Sequence, residues 1–482
     1  MASVKKLIKS IWNKEQRELI GHFKNYLMGN FATRALSFIS IPILTRLLTT
    51  SEYGLISTIN STAQVLTIIL VLNFNSYIAR KYYDKDSNFG SFMFTIIAFL
   101  IIYNVVFLSS IYFFKDIIAG FLNQTPKLFI IAIITSVTSI FITLYYAYLQ
   151  ASMQSKQYSI IAFLRASLGL VIGIVWIIML DSDKHLGRLY ASIIVNVIFS
   201  IYAVYRIVRI CEFKLDVCSL KNTFSYSIPL LPHALSGFIL SQFDRIIINQ
   251  LNGSSDAGLY SFAYNVGMLM YIVVLSLNKS WTPILYKKLN EKDTNSISSH
   301  SVNNTKIVLL CALGLILFAK EVVIIMAKQS YYSALPLVPI VVIGYVMYHF
   351  YTLYVGFAFY KKNTTIVAII TIIASVLNVA LNYIYIPKFG YIAGAYTTLV
   401  SYAVMFILNY LNSRYLLKYR MLKGRSLLPC TILFVILALV FYVLELDTLN
   451  FVLRVIGKLV LIAVYGTYMY FSVDRAKNKS SN

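Results

Sequence analysis

Stretches without a single charged side chain recur along this chain, at 53–79, 87–114, 128–155, 329–360, 363–387 and 389–413. Each exceeds the roughly 20 apolar residues that carry an α-helix across a bilayer. Few folds are open to a chain with several such stretches. In hydrocarbon every backbone amide must be paired within its own helix or around a closed barrel. The runs lack the alternation over about 10 residues that marks barrel strands. The expected class is therefore an all-α polytopic membrane protein. Only 12% of residues are charged, against about 25% in soluble domains. The length rule places about fourteen transmembrane helices, the first at 25–48 and the last at 452–472.

The formal net charge is +24. A surplus of this size could serve nucleic acid, but its placement points to the membrane. With the N-terminus inside, alternate loops carry basic clusters: Arg80-Lys81, then Arg206, Arg209, Lys214 and Lys221, then Arg414, Lys418, Arg420, Lys423 and Arg425. The opposite loops carry few, among them Arg46, Arg188 and Arg454. Positive loops face the cytoplasm, so both termini are expected there, and nucleic acid is not expected as a partner. Residues 1–24 are basic and mixed, with no compact apolar core before a small-residue cleavage site. They read as a cytoplasmic segment, not a signal peptide, and Trp12 could anchor a short interfacial helix. The four cysteines fit no disulfide framework or zinc spacing.

Two polar turns about 204 residues apart read almost alike: Thr49-Thr50-Ser51-Glu52-Tyr53-Gly54-Leu55-Ile56-Ser57 and Gly253-Ser254-Ser255-Asp256-Ala257-Gly258-Leu259-Tyr260-Ser261. A second pair, Lys156-Gln157-Tyr158-Ser159-Ile160 and Lys362-Asn363-Thr364-Thr365-Ile366, recurs at nearly the same offset. Helices one to six then correspond to helices seven to twelve. Six is even, so the halves share one orientation, a parallel repeat about the membrane normal with a substrate path between them. The expected organisation is a cytoplasmic segment 1–24, an N-lobe 25–208, an inter-lobe linker 209–225 and a C-lobe 226–412. A basic loop 413–426, two added helices within 427–472 and a tail 473–482 follow. The connector 282–303, and the run Asn295 to Asn304 above all, reads as polar and flexible. The outer segment 320–333 could lie along the membrane surface.

The chain shows no Ser/His/Asp grouping, phosphate-cradling glycine loop, acidic pair or metal-ligand cluster. A transporter is expected, not an enzyme, with no metal or organic cofactor. Charged groups inside spans are the functional candidates, because a lipid-facing charge there costs several kcal/mol. Arg34 lies near the middle of span one and should face a cleft, where its fork of donors would suit a phosphate or pyrophosphate; pairing with a carbonyl or carboxylate is the alternative. Asp244 and Arg245 occupy the counterpart span seven. Asp244 could take a proton or cation, or pair with an arginine. Arg165 in span five and Lys279 in span eight could bind substrate or snorkel to the headgroups. His233 and His349 could titrate near neutrality or sit neutral in the core. Pro42, Pro229 and Pro232 fall in the paired spans one and seven, and could mark hinges where irregular backbone faces protein or water.

These features resemble the oligosaccharide flippases of the polysaccharide-transport family, the Wzx type, within the superfamily of MATE-like exporters and lipid II flippases. The resemblance rests on Asn30 to Arg34, on Pro42-Ile43-Leu44-Thr45-Arg46-Leu47-Leu48 with Ser51-Glu52-Tyr53-Gly54, on Pro229, Pro232 and Asp244-Arg245-Ile246-Ile247-Ile248, on Ala257-Gly258-Leu259-Tyr260, and on Trp281-Thr282-Pro283. It covers nearly the whole chain. It implies a V-shaped bundle of two six-helix lobes in a bacterial cytoplasmic membrane. It further implies alternating access for an undecaprenyl-pyrophosphate-linked oligosaccharide, an O-antigen or capsule repeat unit, with proton or sodium coupling. A polysaccharide polymerase and a chain-length regulator are the partners it implies. Thr33-Arg34 falls where lipid II flippases carry a Ser-Arg pair on the first helix, which assigns the pyrophosphate to Arg34. A MATE-type multidrug or cation exporter is the alternative on the same fold, and a membrane polymerase a third reading.

Overall fold

The structure is a computed structural model, and it describes residues 14–84, 88–419, 424–444 and 450–478. Trp12 lies outside them. Among the described residues every regular element is helical. In chain order these are α1 Lys14–Leu47, α2 Thr50–Val71, α3 Asn75–Tyr82, α4 Phe89–Phe113, α5 Lys115–Phe121, α6 Pro126–Ala151, α7 Ser155–Met179, α8 Lys184–Val208 and α9 Val217–Phe238. After a π-helical turn, Ile239–Phe243, come α10 Asp244–Asn252, α11 Ser254–Asn290, α12 Thr294–Leu317, α13 Ala319–Met326 and a 3-10 turn Gln329–Ala334. The rest are α14 Leu337–Tyr360, α15 Thr364–Phe389, α16 Ile392–Leu411, a second π turn Asn412–Leu416, α17 Gly424–Val443 and α18 Phe451–Asn478. Eleven helices among the described residues are long and apolar enough to cross a membrane.

The chain packs as two compact units, Met1–Leu235 and Ser236–Asn482. The division falls inside the seventh expected span, just before the first π turn. Within the first unit α1 packs on α7, α7 on α8, α2 on α6 and α6 on α8. Within the second, α10 packs on α15, α15 on α16, α11 on α14 and α14 on α16. Counted as spans, the two sets of pairings are the same: one on five, five on six, two on four and four on six. The repeat read from two short turns is therefore a repeat of helix packing.

Those turns start helices in different ways. At α2, Thr49 Oγ1 accepts from the Glu52 amide at 3.2 Å while the Thr49 amide donates to Glu52 Oε2 at 2.9 Å, a reciprocal capping box. Glu52 Oε1 also accepts from the Lys184 amide at 2.9 Å, which ties the start of α2 to the start of α8. In the second copy Gly253 takes φ +95°, a conformation open to glycine, and α11 follows at once.

Two expectations on connectors are corrected. The run 295–304 is not flexible; it lies in α12, and α11 extends to Asn290, so only 291–293 connect them. Asp293 caps α12 by accepting from the Ser296 amide at 3.0 Å and hydroxyl at 2.6 Å, and Lys288 reaches it at 3.0 Å. Those bonds hold the Asp293 carboxyl down to about 2. A capped helix needs no apolar composition when its polar face meets water. Similarly, the connector after α8 is shorter than 209–225, because α9 begins at Val217, where Asp216 accepts from the Ser219 amide at 2.9 Å. The segment 320–333 is covered by the short helix α13 and the 3-10 turn, held to α18 by an ion cluster. Glu321 accepts from Lys458 at 2.9 Å and forms an ion pair with Arg454 Nε at 2.9 Å, and Lys458 is wholly buried.

Candidate functional site

In the first unit the basic candidates come from α1, α7 and α8. Arg34 is exposed on α1. Thr33, one residue earlier, lines a cavity of about 350 Å³ that also holds Arg165 and Asn196. Arg165 Nε donates to Asn196 Oδ1 at 2.8 Å, and Asn196 is buried, so the guanidinium is anchored at one edge. It does not run out to the headgroups along a free stem. A third basic residue joins them that the loop reading had placed elsewhere. Arg188, in the second turn of α8, lines the same cavity and donates through Nη1 to the Gly169 carbonyl at 2.5 Å.

In the second unit the π turn comes immediately before Asp244. An extra residue in a helical turn re-aims the side chains that follow it. Asp244 is 1% exposed. It accepts from Tyr260 Oη at 2.5 Å, Asn382 Nδ2 at 2.6 Å and Thr398 Oγ1 at 2.6 Å. These donors come from α11, α15 and α16, so one carboxyl gathers three helices around α10. Behind them, Asn378 Nδ2 donates to Thr398 Oγ1 at 3.2 Å, and Thr397 donates to Asn382 Oδ1. Asp244 is thus no snorkelling surface group. No Arg or Lys nitrogen among the described residues lies within 4 Å of it, so the arginine pairing considered from sequence does not form. Arg245 is buried too, with its guanidinium carbon 5.9 Å from the Tyr264 ring centre and Nε and Nη2 unpaired.

The remaining candidates do not gather with these. His349 on α14 is buried and meets Thr305 Oγ1 of α12 at 3.1 Å, a bond that fits the core reading. His233 is half-buried on α9, in the first unit. Lys279 is exposed on α11. Pro42 lies within α1, and Pro229 and Pro232 lie exposed within α9; helical backbone continues through all three. The break in register comes beyond Pro232, at Ile239–Phe243.

Sequence comparison places these features in a family. The profile described as polysaccharide biosynthesis protein matches residues 24–289, and the MatE profile matches 229–384. A protein of the Lsg locus of Haemophilus influenzae is 25% identical over 279 residues, 55% of this chain and 66% of the relative. The succinoglycan biosynthesis transport protein ExoT of Rhizobium meliloti is 22% identical over 253 residues, 52% of this chain and 50% of the relative. The chain thus spans about half to two thirds of these relatives. In fold it is similar to the lipid II flippase MurJ in an inward closed conformation, with TM-score 0.72 and 13% identity over 93% of this chain and 99% of that one. With more than half of its length matched by the family profile, this chain is a multi-pass membrane protein that belongs to the polysaccharide biosynthesis protein family.

Proposed function

We propose that this chain is a flippase that carries an undecaprenyl-pyrophosphate-linked oligosaccharide, an O-antigen or capsule repeat unit, from the cytoplasmic to the outer leaflet of a bacterial cytoplasmic membrane. Access alternates between the two sides, and both termini stay in the cytoplasm, as the basic loops favour. A polymerase and its chain-length regulator would take the product. The observation that carries this reading is the cavity of the first unit, which two arginines line without any carboxylate among the described residues. Such a lining attracts an anionic head group and repels a cationic drug. Family membership and the relatives' names, a polysaccharide transport protein and a lipid II flippase, support the same class. Arg34, Arg165, Arg245 and Lys279 are the cations assigned to substrate, with Arg34 beside the cavity through Thr33.

Coupling to a proton or sodium gradient is assigned to Asp244. A buried carboxyl with the Tyr260 and Thr398 hydroxyl oxygens beside it offers the hard oxygen donors that sodium prefers, and the same carboxyl could carry a proton. His349 and His233 are the weaker coupling candidates, because neither meets another titratable group.

Complementation tests the reading. In a strain deleted for its own flippase, the wild-type chain should restore polymerised surface polysaccharide. Arg34→Ala and Arg34→Lys should both fail while inserting at wild-type levels, since neither presents a bidentate fork. A wild-type chain that fails in hosts with several different repeat units, yet confers drug resistance, would establish the exporter reading instead.

A further inference from the structure

Arg188 lies near the start of a membrane helix, where a long cation would normally turn outward. It turns inward instead, across α7, and the sequence of α7 makes that possible. Gly169 and Gly173 lie one turn apart on the same face. A methyl at Gly173 would come within 2.8 Å of Arg188 Cδ, and one at Gly169 would stand 3.6 Å from Nη1. The two glycines therefore form a slot that holds the side chain against the helix backbone. At its end the guanidinium donates to the Gly169 carbonyl.

Arg165 faces the same cavity from α7 and is held by Asn196. The buried Tyr146 hydroxyl stands beside Arg165, outside hydrogen-bond geometry. No carboxylate oxygen among the described residues lies within 4 Å of either guanidinium. Each arginine has five N–H donors, and its one protein acceptor here is neutral. Two like charges thus share one cavity among membrane helices with no carboxylate of the described residues beside them. That arrangement is unfavourable when empty and favourable around an anion. The Arg188 guanidinium bonds the carbonyl of Gly169, which lies one turn from Arg165 on α7, so the two forks enter the cavity at different points. Two offset forks suit two linked phosphoryl groups better than one.

We propose that Arg165 and Arg188, the latter seated in the Gly169/Gly173 slot, form a two-arginine clamp for a diphosphate head group within the first unit. The assignment of that diphosphate to a transported lipid rests on the proposed function; the binding site itself does not.

The test uses the full chain in phosphatidylcholine nanodiscs, titrated by calorimetry with inorganic pyrophosphate, inorganic phosphate and farnesyl diphosphate. Pyrophosphate and farnesyl diphosphate should bind more tightly than phosphate. Arg165→Gln and Arg188→Gln should each weaken both at least about tenfold, the loss of roughly one charge-assisted bond. Gly173→Ala, which displaces Arg188 without removing it, should weaken them to a similar degree. All variants should keep the wild-type unfolding temperature within a few degrees. Pyrophosphate affinity that is absent, or unchanged within twofold in Arg188→Gln, overturns the clamp. So does pyrophosphate binding that is abolished when phosphatidylglycerol is added to the nanodiscs, which would make the site one for an ordinary lipid phosphate. A chain that complements but fails to bind diphosphate keeps its flippase function and loses the clamp. A chain that binds diphosphate through both arginines but never translocates keeps the clamp and loses the function.

Discussion

Asp244→Ala is expected to destabilise the second unit by about 3 kcal/mol, because it strands three donors at once, each costing about 1 kcal/mol or more when buried without a partner. Tyr260, Asn382 and Thr398 all converge on that carboxyl, from three different helices. Asp244→Asn keeps the shape and most of the bonds and should cost about 1 kcal/mol. It removes the charge, however, so gradient-driven transport should fall to the uncoupled background while the protein still folds. The two effects separate in thermal unfolding of purified protein and in transport assayed with and without an imposed proton or sodium gradient. Gradient-dependent transport at the wild-type level in Asp244→Asn would remove Asp244 from coupling and leave it a structural hub.

Glu321→Ala should be comparably damaging, for a different reason. It removes the acid that accepts from Lys458, pairs in charge with Arg454 and links α13 to α18. Taking one member from a buried ion pair commonly costs 3–5 kcal/mol, and here about 3 kcal/mol is expected. The expected signs are a lower unfolding temperature and earlier proteolysis near α18. A Glu321→Met/Lys458→Met double variant should recover most of the loss, because well-packed apolar residues replace a buried pair at little net cost. Arg454 is 14% exposed at its side chain and can turn to water. If Glu321→Ala unfolds like wild type, the cluster contributes nothing to holding the last helix.

How far the sequence carried depended on whether a signal was local. Helix positions were legible because an uncharged run of bilayer length has few alternatives, and long helices cover the expected spans. The repeat was legible because the turn at 49–57 and its counterpart at 253–261 are similar in sequence, although only the first closes a capping box. Asp244 was legible as an acid within an apolar span. Its partners were not: Tyr260, Asn382 and Thr398 carry no pattern that ties them to position 244, and the π turn that aims it leaves no periodic trace. Composition misled at 295–304, where polar residues suggested a loop and the Asp293 cap holds a helix. It misled again at Arg188, which counts as a loop cation until Gly169 and Gly173 are seen beneath it. Glu321, Arg454 and Lys458 meet only in three dimensions, across 137 residues of sequence between Glu321 and Lys458.

The most direct test of the central claim is translocation itself. Purified chain would be reconstituted in proteoliposomes loaded with a fluorescent undecaprenyl-pyrophosphate-linked oligosaccharide. The sugar's accessibility to an external, membrane-impermeant glycosidase would then be followed. The account predicts that an imposed proton or sodium gradient exposes the internal pool to digestion, with Arg34→Ala and Asp244→Asn at the protein-free rate. An internal pool that stays protected in the presence of inserted wild-type chain, under either gradient, would contradict it.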